Sequence, residues 1–181
     1  MSELKVFSDS DADTVLEHSR SPDTIASLLG DAGVRFEQWQ TSTSVRAGDD
    51  SAAVLAAYDG DIQRLIAEEG YQTVDVISLD GSHPDKDALR QKFLSEHTHA
   101  EDEVRFFVDG CGLFSLHIDD RIYEVLCEKG DLISVPANTP HWFDMGPEPS
   151  LVAIRLFNNP EGWVAHYTGS DIATRYNRLE A

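Results

Sequence analysis

A succession of short β-rich runs between residues 104 and 157 constrains the fold more than any other feature of the chain. The runs are Val104 to Val108, Leu113 to Ile118, Arg121 to Leu126, Leu132 to Val135 and Leu151 to Phe157. Between them stand Asp109-Gly110-Cys111-Gly112, Asp119-Asp120, Lys129-Gly130-Asp131 and Met145-Gly146-Pro147, which are rich in residues that tolerate turn geometry. Evenly spaced strands with this punctuation predict a β-barrel or jelly roll, in which closure or double layering protects strand edges.

The preceding part reads as helix-rich. Asp11 to Ser19 and Pro22 to Leu29 are expected as short helices, the second opened by Ser21 with Pro22 just inside and closed by Gly30. Val34 to Gln40 is expected as a strand. Ser51 to Glu69 spaces Val54, Leu55, Ile62, Leu65 and Ile66 helically, with Gly60 expected to divide it and the pieces expected to lie against the outside of the barrel. Thr73 to Leu79 reads as a mostly buried strand, and Ser82 opens a helix reaching about Leu94. The expected architecture is mainly β with flanking helices in a single domain over 1–181. Within it, 1–94 is a helix-rich part with one or two strands, 95–158 the core, and 159–181 a C-terminal segment without clear pattern.

Charge narrows the partners. With 14 Lys+Arg against 33 Asp+Glu the chain carries a formal charge of -19, which repels phosphate backbones and anionic lipid. No nucleic-acid or membrane partner is expected, and an anionic substrate would need a local cation. The N-terminal residues lack a basic and apolar leader, and no apolar window approaches the roughly 18 residues of a membrane span, so a cytoplasmic protein is expected. Cys111 and Cys127 offer no disulfide framework and are expected as reduced, structural thiols.

His97-Thr98-His99 places two imidazoles at i and i+2, which in an extended chain share a face, and Glu103 has the same parity. If extended structure persists across these residues, two nitrogens and a carboxylate converge as a borderline ligand set suited to Fe, Ni, Mn, Co or Zn. Taken alone, a His-x-His pair at a strand end and a solvated Glu101-Asp102-Glu103 run are the blander reading. His141, after a strand that turns at Pro136 and Asn138, adds a third imidazole.

These positions resemble the cupin superfamily. Its first pattern is His-x-His, Glu four further on and Gly after about six more, matched at or near these intervals by His97, His99, Glu103 and Gly110. Its second is matched by Gly130, Pro136 and His141, with Asn138 where Gly is expected and Met145 where Asn is expected. Asn tolerates the left-handed conformation, so the first departure is mild. Gln91 likewise replaces a Gly, consistent with a helix leading into the site.

Three flanking stretches are more specific. Residues 92–110, 135–144 and 155–164 resemble the acireductone dioxygenase family, as do Gly70-Tyr71 and Asp75-Val76, so the similarity runs through about the last two thirds of the chain. The resemblance implies a cupin jelly-roll barrel holding one Fe2+ or Ni2+ per chain on His97, His99, Glu103 and His141. It also implies carbon–carbon cleavage of acireductone, 1,2-dihydroxy-3-keto-5-methylthiopentene, by O2 in methionine salvage. Iron implies formate and 4-methylthio-2-oxobutanoate; nickel implies formate, CO and 3-methylthiopropanoate. Four ligands on an octahedral ion would leave two positions for a bidentate enediolate.

Arg105 shares parity with Glu103, and the resemblance favours a role in stabilising negative charge on the substrate over a plain ion pair. Arg155 is a second candidate. Phe93, Phe143 and Trp163 match aromatic positions of the family and are candidates to enclose the methylthio tail, each with simple packing as the alternative. Glu96, beside the first ligand, is a candidate for metal loading or proton removal, although an exposed carboxylate is the plainer reading. No role is assigned to His18, His83, His117 or His166. A monomer is expected. Another metal cupin, whether dioxygenase or isomerase, and a non-enzymatic ligand-binding cupin remain the alternatives.

Overall fold

The computed structural model describes residues 1–40, 45, 49–159 and 164–180. In chain order the elements are β1 (Glu3–Ser8), β2 (Asp11–Ser19), α1 (Pro22–Asp31), β3 (Arg35–Gln38), α2 (Ser51–Ala57), α3 (Asp59–Glu69), β4 (Thr73–Leu79) and α4 (Lys86–Leu94). Then follow β5 (His97–Thr98), β6 (Glu103–Ile118), β7 (Arg121–Glu128), β8 (Asp131–Val135), β9 (His141–Asp144), β10 (Leu151–Phe157), β11 (His166–Tyr167) and a 3₁₀ turn at Ile172–Arg175.

Two antiparallel sheets share β6. The first runs β11-β5-β9-β6-β7-β1-β2, and the second runs β4-β10-β6-β8-β3. The leading half of β6 pairs with β8 and β10, while its trailing half, from Cys111, pairs with β7 and, at Leu113 to Leu116, with β9. The sequence suggests a turn at Asp109 to Gly112; the structure instead has one continuous strand that changes sheets there. Gly110 makes this possible. Its φ is 75°, a Cβ would lie 1.7 Å from the Ser150 carbonyl oxygen, and just before it the pairing with β10 shifts register between Val152 and Ala153.

Period-two alternation then sorts the side chains of β6. Phe107 faces the core between the sheets, with Leu4, Val6, Phe114, Leu116, Val125, Ile133 and Phe143, joined by Ile25 and Leu29 of α1. Val104, Phe106 and Val108 point the other way, into a second cluster with Val54, Tyr58, Ile62 and Leu65 of the α2–α3 region. Phe106 lies between Trp39 and Tyr58, with ring centroids 4.7 and 4.6 Å away. The outer side of the first sheet is covered by the C-terminal segment, where Ile172, Ala173 and Tyr176 pack on Phe7, Ile122 and Trp142. Helices flank a jelly-roll barrel, as expected.

Several local expectations are corrected. Asp11–Ser19 is a strand, not a helix: its backbone groups pair with β1 from Leu4↔Ser19 to Ser8↔Asp11, and this tertiary ladder overrides the local pattern. Among its described residues the stretch 1–94 thus holds four strands rather than one or two. The break in Ser51 to Glu69 falls at Tyr58 rather than Gly60, because the buried Tyr58 ring is fixed against Phe106. Helix α1 is capped by Ser21 as expected but continues past Gly30 to Asp31, and Gly33, at φ 84°, supplies the left-handed residue. The last flanking helix starts at Lys86, since the Ser82 N–H and hydroxyl are taken by Asp80 in a turn.

Candidate metal centre and adjoining cavity

Helix α4 ends at Leu94, Ser95 turns extended (φ −92°, ψ 146°), and β5 begins two residues on. His97 is the register partner of His141 in β9, which brings two distant imidazoles together. Extended structure does not persist to Glu103, since the chain bends at Ala100 and Glu101. Glu103 instead reaches the same point as the first residue of β6, opposite Val135 of the second sheet. The bend is pinned. Asn138, at φ 63°, donates its N–H to the His99 carbonyl at 2.8 Å, and Asp102 accepts from Ala137 N–H at 2.9 Å and the Tyr71 hydroxyl at 3.0 Å.

The ligand atoms offered by His97, His99 and His141 all lie within 4.8 Å of one another, and all three side chains are buried. Each imidazole has its Nδ1 against a backbone carbonyl: His97 on Ser95 at 2.7 Å, His99 on Val164 at 3.2 Å, His141 on Thr139 at 2.7 Å. A carbonyl can only accept, so each Nδ1 carries the proton and each neutral ring keeps its Nε2 lone pair for an ion. Glu103 Oε2 stands 2.9 Å from Nε2 of both His99 and His141. Three nitrogens with locked tautomers and one buried carboxylate form a donor set that fits a first-row divalent ion.

Electrostatics keeps His97 neutral and Glu103 ionised, and pulls His99 the other way, toward its protonated form. Burial, reinforced by the neighbouring His141, pushes the His97 imidazole down to about 4. Burial works against the charge of Glu103, yet Arg105, His141 and His99 together hold its carboxyl well below the usual range. At His99, burial is outweighed by the Glu103 hydrogen bond and charge, so its value rises. Arg105 is itself lowered by burial; its Nε sits 2.9 Å from Glu103 Oε1 and its guanidinium 5.1 Å over the Phe143 ring.

Beside the donors lies a cavity of about 380 Å³, within the range of small-molecule sites. Arg105, Phe93, Phe143, Leu89, Met145, Leu151 and Ile77 are among its lining residues. Gly112 makes room for one wall, since a Cβ there would come within 2.3 Å of Phe143 Cζ. Arg155 lines the cavity as well, although its guanidinium is engaged by Asp75, its register partner on β4.

The structure therefore brings His97, His99, Glu103 and His141 together, with Arg105 bonded to Glu103 and lining the adjoining cavity with Phe93, Phe143 and Arg155. Trp163 lies outside the described residues. Glu96 is buried rather than exposed, and its carboxylate bonds His117 Nδ1 at 2.7 Å and the Thr168 hydroxyl at 2.8 Å, away from the donors. Sequence reasoning missed His117, whose other ring nitrogen faces Asp9, and Asp144, which binds Arg90 of α4 at 2.8 Å and accepts from Gly146 and Leu179 N–H, each at 2.9 Å. No spacing signal joins groups so far apart in the chain.

Comparison with known proteins is consistent with this arrangement. The model of the ARD/ARD′ family matches residues 3–165. Acireductone dioxygenase from Alcanivorax borkumensis is 63% identical over 178 residues, covering 98% of both chains. The enzyme from Klebsiella oxytoca is 58% identical over 179 residues, covering 99% of both. Among solved structures, acireductone dioxygenase from Bacillus anthracis with a cadmium ion in its active centre superposes with a TM-score of 0.79 at 34% identity, covering 92% of this chain and 98% of that one.

Proposed function

This chain belongs to the ARD/ARD′ family, and we propose that it cleaves an acireductone with O2 on one divalent ion held by His97, His99, Glu103 and His141. The observation that carries this reading is the convergence of three tautomer-locked imidazoles and a buried carboxylate beside an apolar cavity edged by Arg105. When bound, iron or nickel supplies Lewis acidity and a template for two substrate oxygens.

The protein's own groups do the rest. Arg105 offers a fixed positive charge at the rim of the cavity, where an anionic enediolate needs compensation in a chain whose overall charge is -19. Glu103, kept ionised, holds that guanidinium in place through its Oε1. Phe93, Phe143 and Leu151 shield the methylthio tail and exclude water from the reacting carbons. Arg155 is tied to Asp75 and so shapes the wall near Arg105 more than it offers a free charge. Glu96 acts through His97's segment as a brace, joined to His117 and Thr168.

The reading carries with it a place in methionine salvage and a product set chosen by the ion: the keto acid with iron, CO with nickel. It also carries a cytoplasmic monomer. Free Cys111 and Cys127 suit a reducing compartment, and among the described residues no helix is long and apolar enough to cross a membrane. The test is anaerobic addition of acireductone to iron-loaded and nickel-loaded protein, followed by O2. Oxygen uptake with formate release is expected from both, with CO from the nickel form; neither oxygen uptake nor formate from either form would sink the reading.

A further inference from the structure

On the proposed function, the donor cluster and Arg105 take the head of the substrate and the adjoining cavity of about 380 Å³ takes its tail. Met145, buried just beyond the end of β9, lines that cavity. It also lines a second cavity of about 130 Å³, whose other walls include Cys111, Pro147, Ser150 and Leu179. Among the described residues, Met145 is the one common to the two linings. Its backbone is fixed on both sides, because the Asp144 carboxylate accepts the Gly146 N–H at 2.9 Å and also binds Arg90 and Leu179. The general cupin pattern has Asn at this place. A thioether there leaves the partition apolar on both faces, and an unbranched side chain fills an irregular gap closely.

On the reading that the cavity holds an acireductone tail, we propose that Met145 is a specificity-determining residue that sets how long a tail the enzyme accepts. Met145 lines both the main cavity and the second one, so its side chain is placed to limit how far a tail extends from one toward the other. Each added methylene that finds apolar burial improves capture by about fourfold. The gain reverses once the tail meets Met145, because a fixed wall in a packed interior resists extra volume. Removing the wall joins the two cavities and moves the limit outward.

The test is kcat/KM for a series of acireductones that differ in the length of an unbranched apolar tail. Wild type, Met145→Leu, Met145→Val and Met145→Ala are compared, each checked for metal content and circular dichroism. For wild type we expect a rise with length and then a sharp fall. Met145→Leu, of similar volume, keeps that profile; Met145→Ala moves the maximum outward by at least two methylenes and raises the longest-to-shortest ratio about tenfold. Met145→Val shifts it in the same direction and serves if Met145→Ala does not fold. A wild-type profile without a break, or a folded, metal-loaded Met145→Ala or Met145→Val whose profile superimposes on wild type, overturns the proposal. Wild type that consumes no member of the series with iron or nickel overturns the underlying functional reading instead.

Discussion

At the donor cluster, His97 and His141 are oriented by carbonyls only two residues away, those of Ser95 and Thr139. The adjoining cavity takes its walls from β4, α4, β6, the end of β9 and β10, elements spread from Ile77 to Arg155. The first region is built mainly from short stretches of chain joined by one register, with His99 held from afar by Val164, and the second from long-range packing. They meet at Arg105 and Phe143, yet different bonds hold them. Helix α4, which carries Leu89 and Phe93, is tied down by Arg90–Asp144, by Tyr167 hydroxyl to the Lys92 carbonyl at 2.7 Å and by Arg178 to the Leu94 carbonyl at 3.3 Å. The difference teaches that ligand geometry should survive changes that loosen the cavity, whereas tail recognition should not.

The largest break is expected from His141→Ala, which removes a donor and the register partner of His97. Metal affinity should fall well beyond the roughly 10- to 100-fold typical of changes one shell further out, as measured by metal content after dialysis. Retained stoichiometric metal would show that the three-imidazole cluster is not the site. Next is Arg105→Ala, at the boundary of the two regions. Metal content should hold while kcat/KM for acireductone falls about 10²- to 10³-fold, the scale of losing a charge-stabilising donor. Unchanged turnover would reduce Arg105 to an ion-pair partner of Glu103.

Asp144→Asn attacks the cavity side alone. It should lower stability in urea by about 1–3 kcal/mol and raise KM while leaving metal content intact, since Asp144 anchors α4 and the C-terminal segment but touches no donor. Loss of metal in this variant would erase the distinction between the regions. A smaller, pH-dependent effect belongs to the donors in metal-free protein. His97 titrates near its ordinary 6.5 when unfolded but at about 4 when folded, so the unfolded state binds the extra proton between those values. His97's contribution to stability is therefore full above about 6.5 and is lost as pH falls toward 4, which urea denaturation at pH 7, 5.5 and 4.5 will read as a falling midpoint. A midpoint that stays level would contradict the burial of a neutral ring. The smallest effect is expected from His117→Ala, which frees one oxygen of Glu96; metal content should stay full and turnover should change less than tenfold. Metal loss there as large as in His141→Ala would mean that the Glu96 brace, not local backbone, orients the donors.

Much of the donor end was legible because its signal is short-range. His-x-His parity put two imidazoles on one side, and a left-handed Asn138 did stand in for Gly, with the added result that its N–H reaches back to His99. Parity also separated Arg105 from Val104 and Phe106, as the two clusters on either side of β6 bear out. What failed were inferences that needed a partner. The edge strand Asp11–Ser19 was read as helix because its pairing with β1 cannot be seen locally. Gly110 was read as a turn because a glycine that bends a strand between two sheets and one that reverses the chain look alike.

The sequence by itself pointed to the barrel class through strand periodicity and put His97 and His99 on one face through their spacing, while Glu103, His141 and Arg105 took their roles as candidates through the family resemblance. Tertiary structure alone decided that Glu103 comes from the second sheet, that Glu96 turns to His117, that Asp144 clamps α4 and that Met145 lines two cavities. The physical reason is that hydrogen-bond register and side-chain burial are settled between elements far apart in the chain, where no local pattern records the partner.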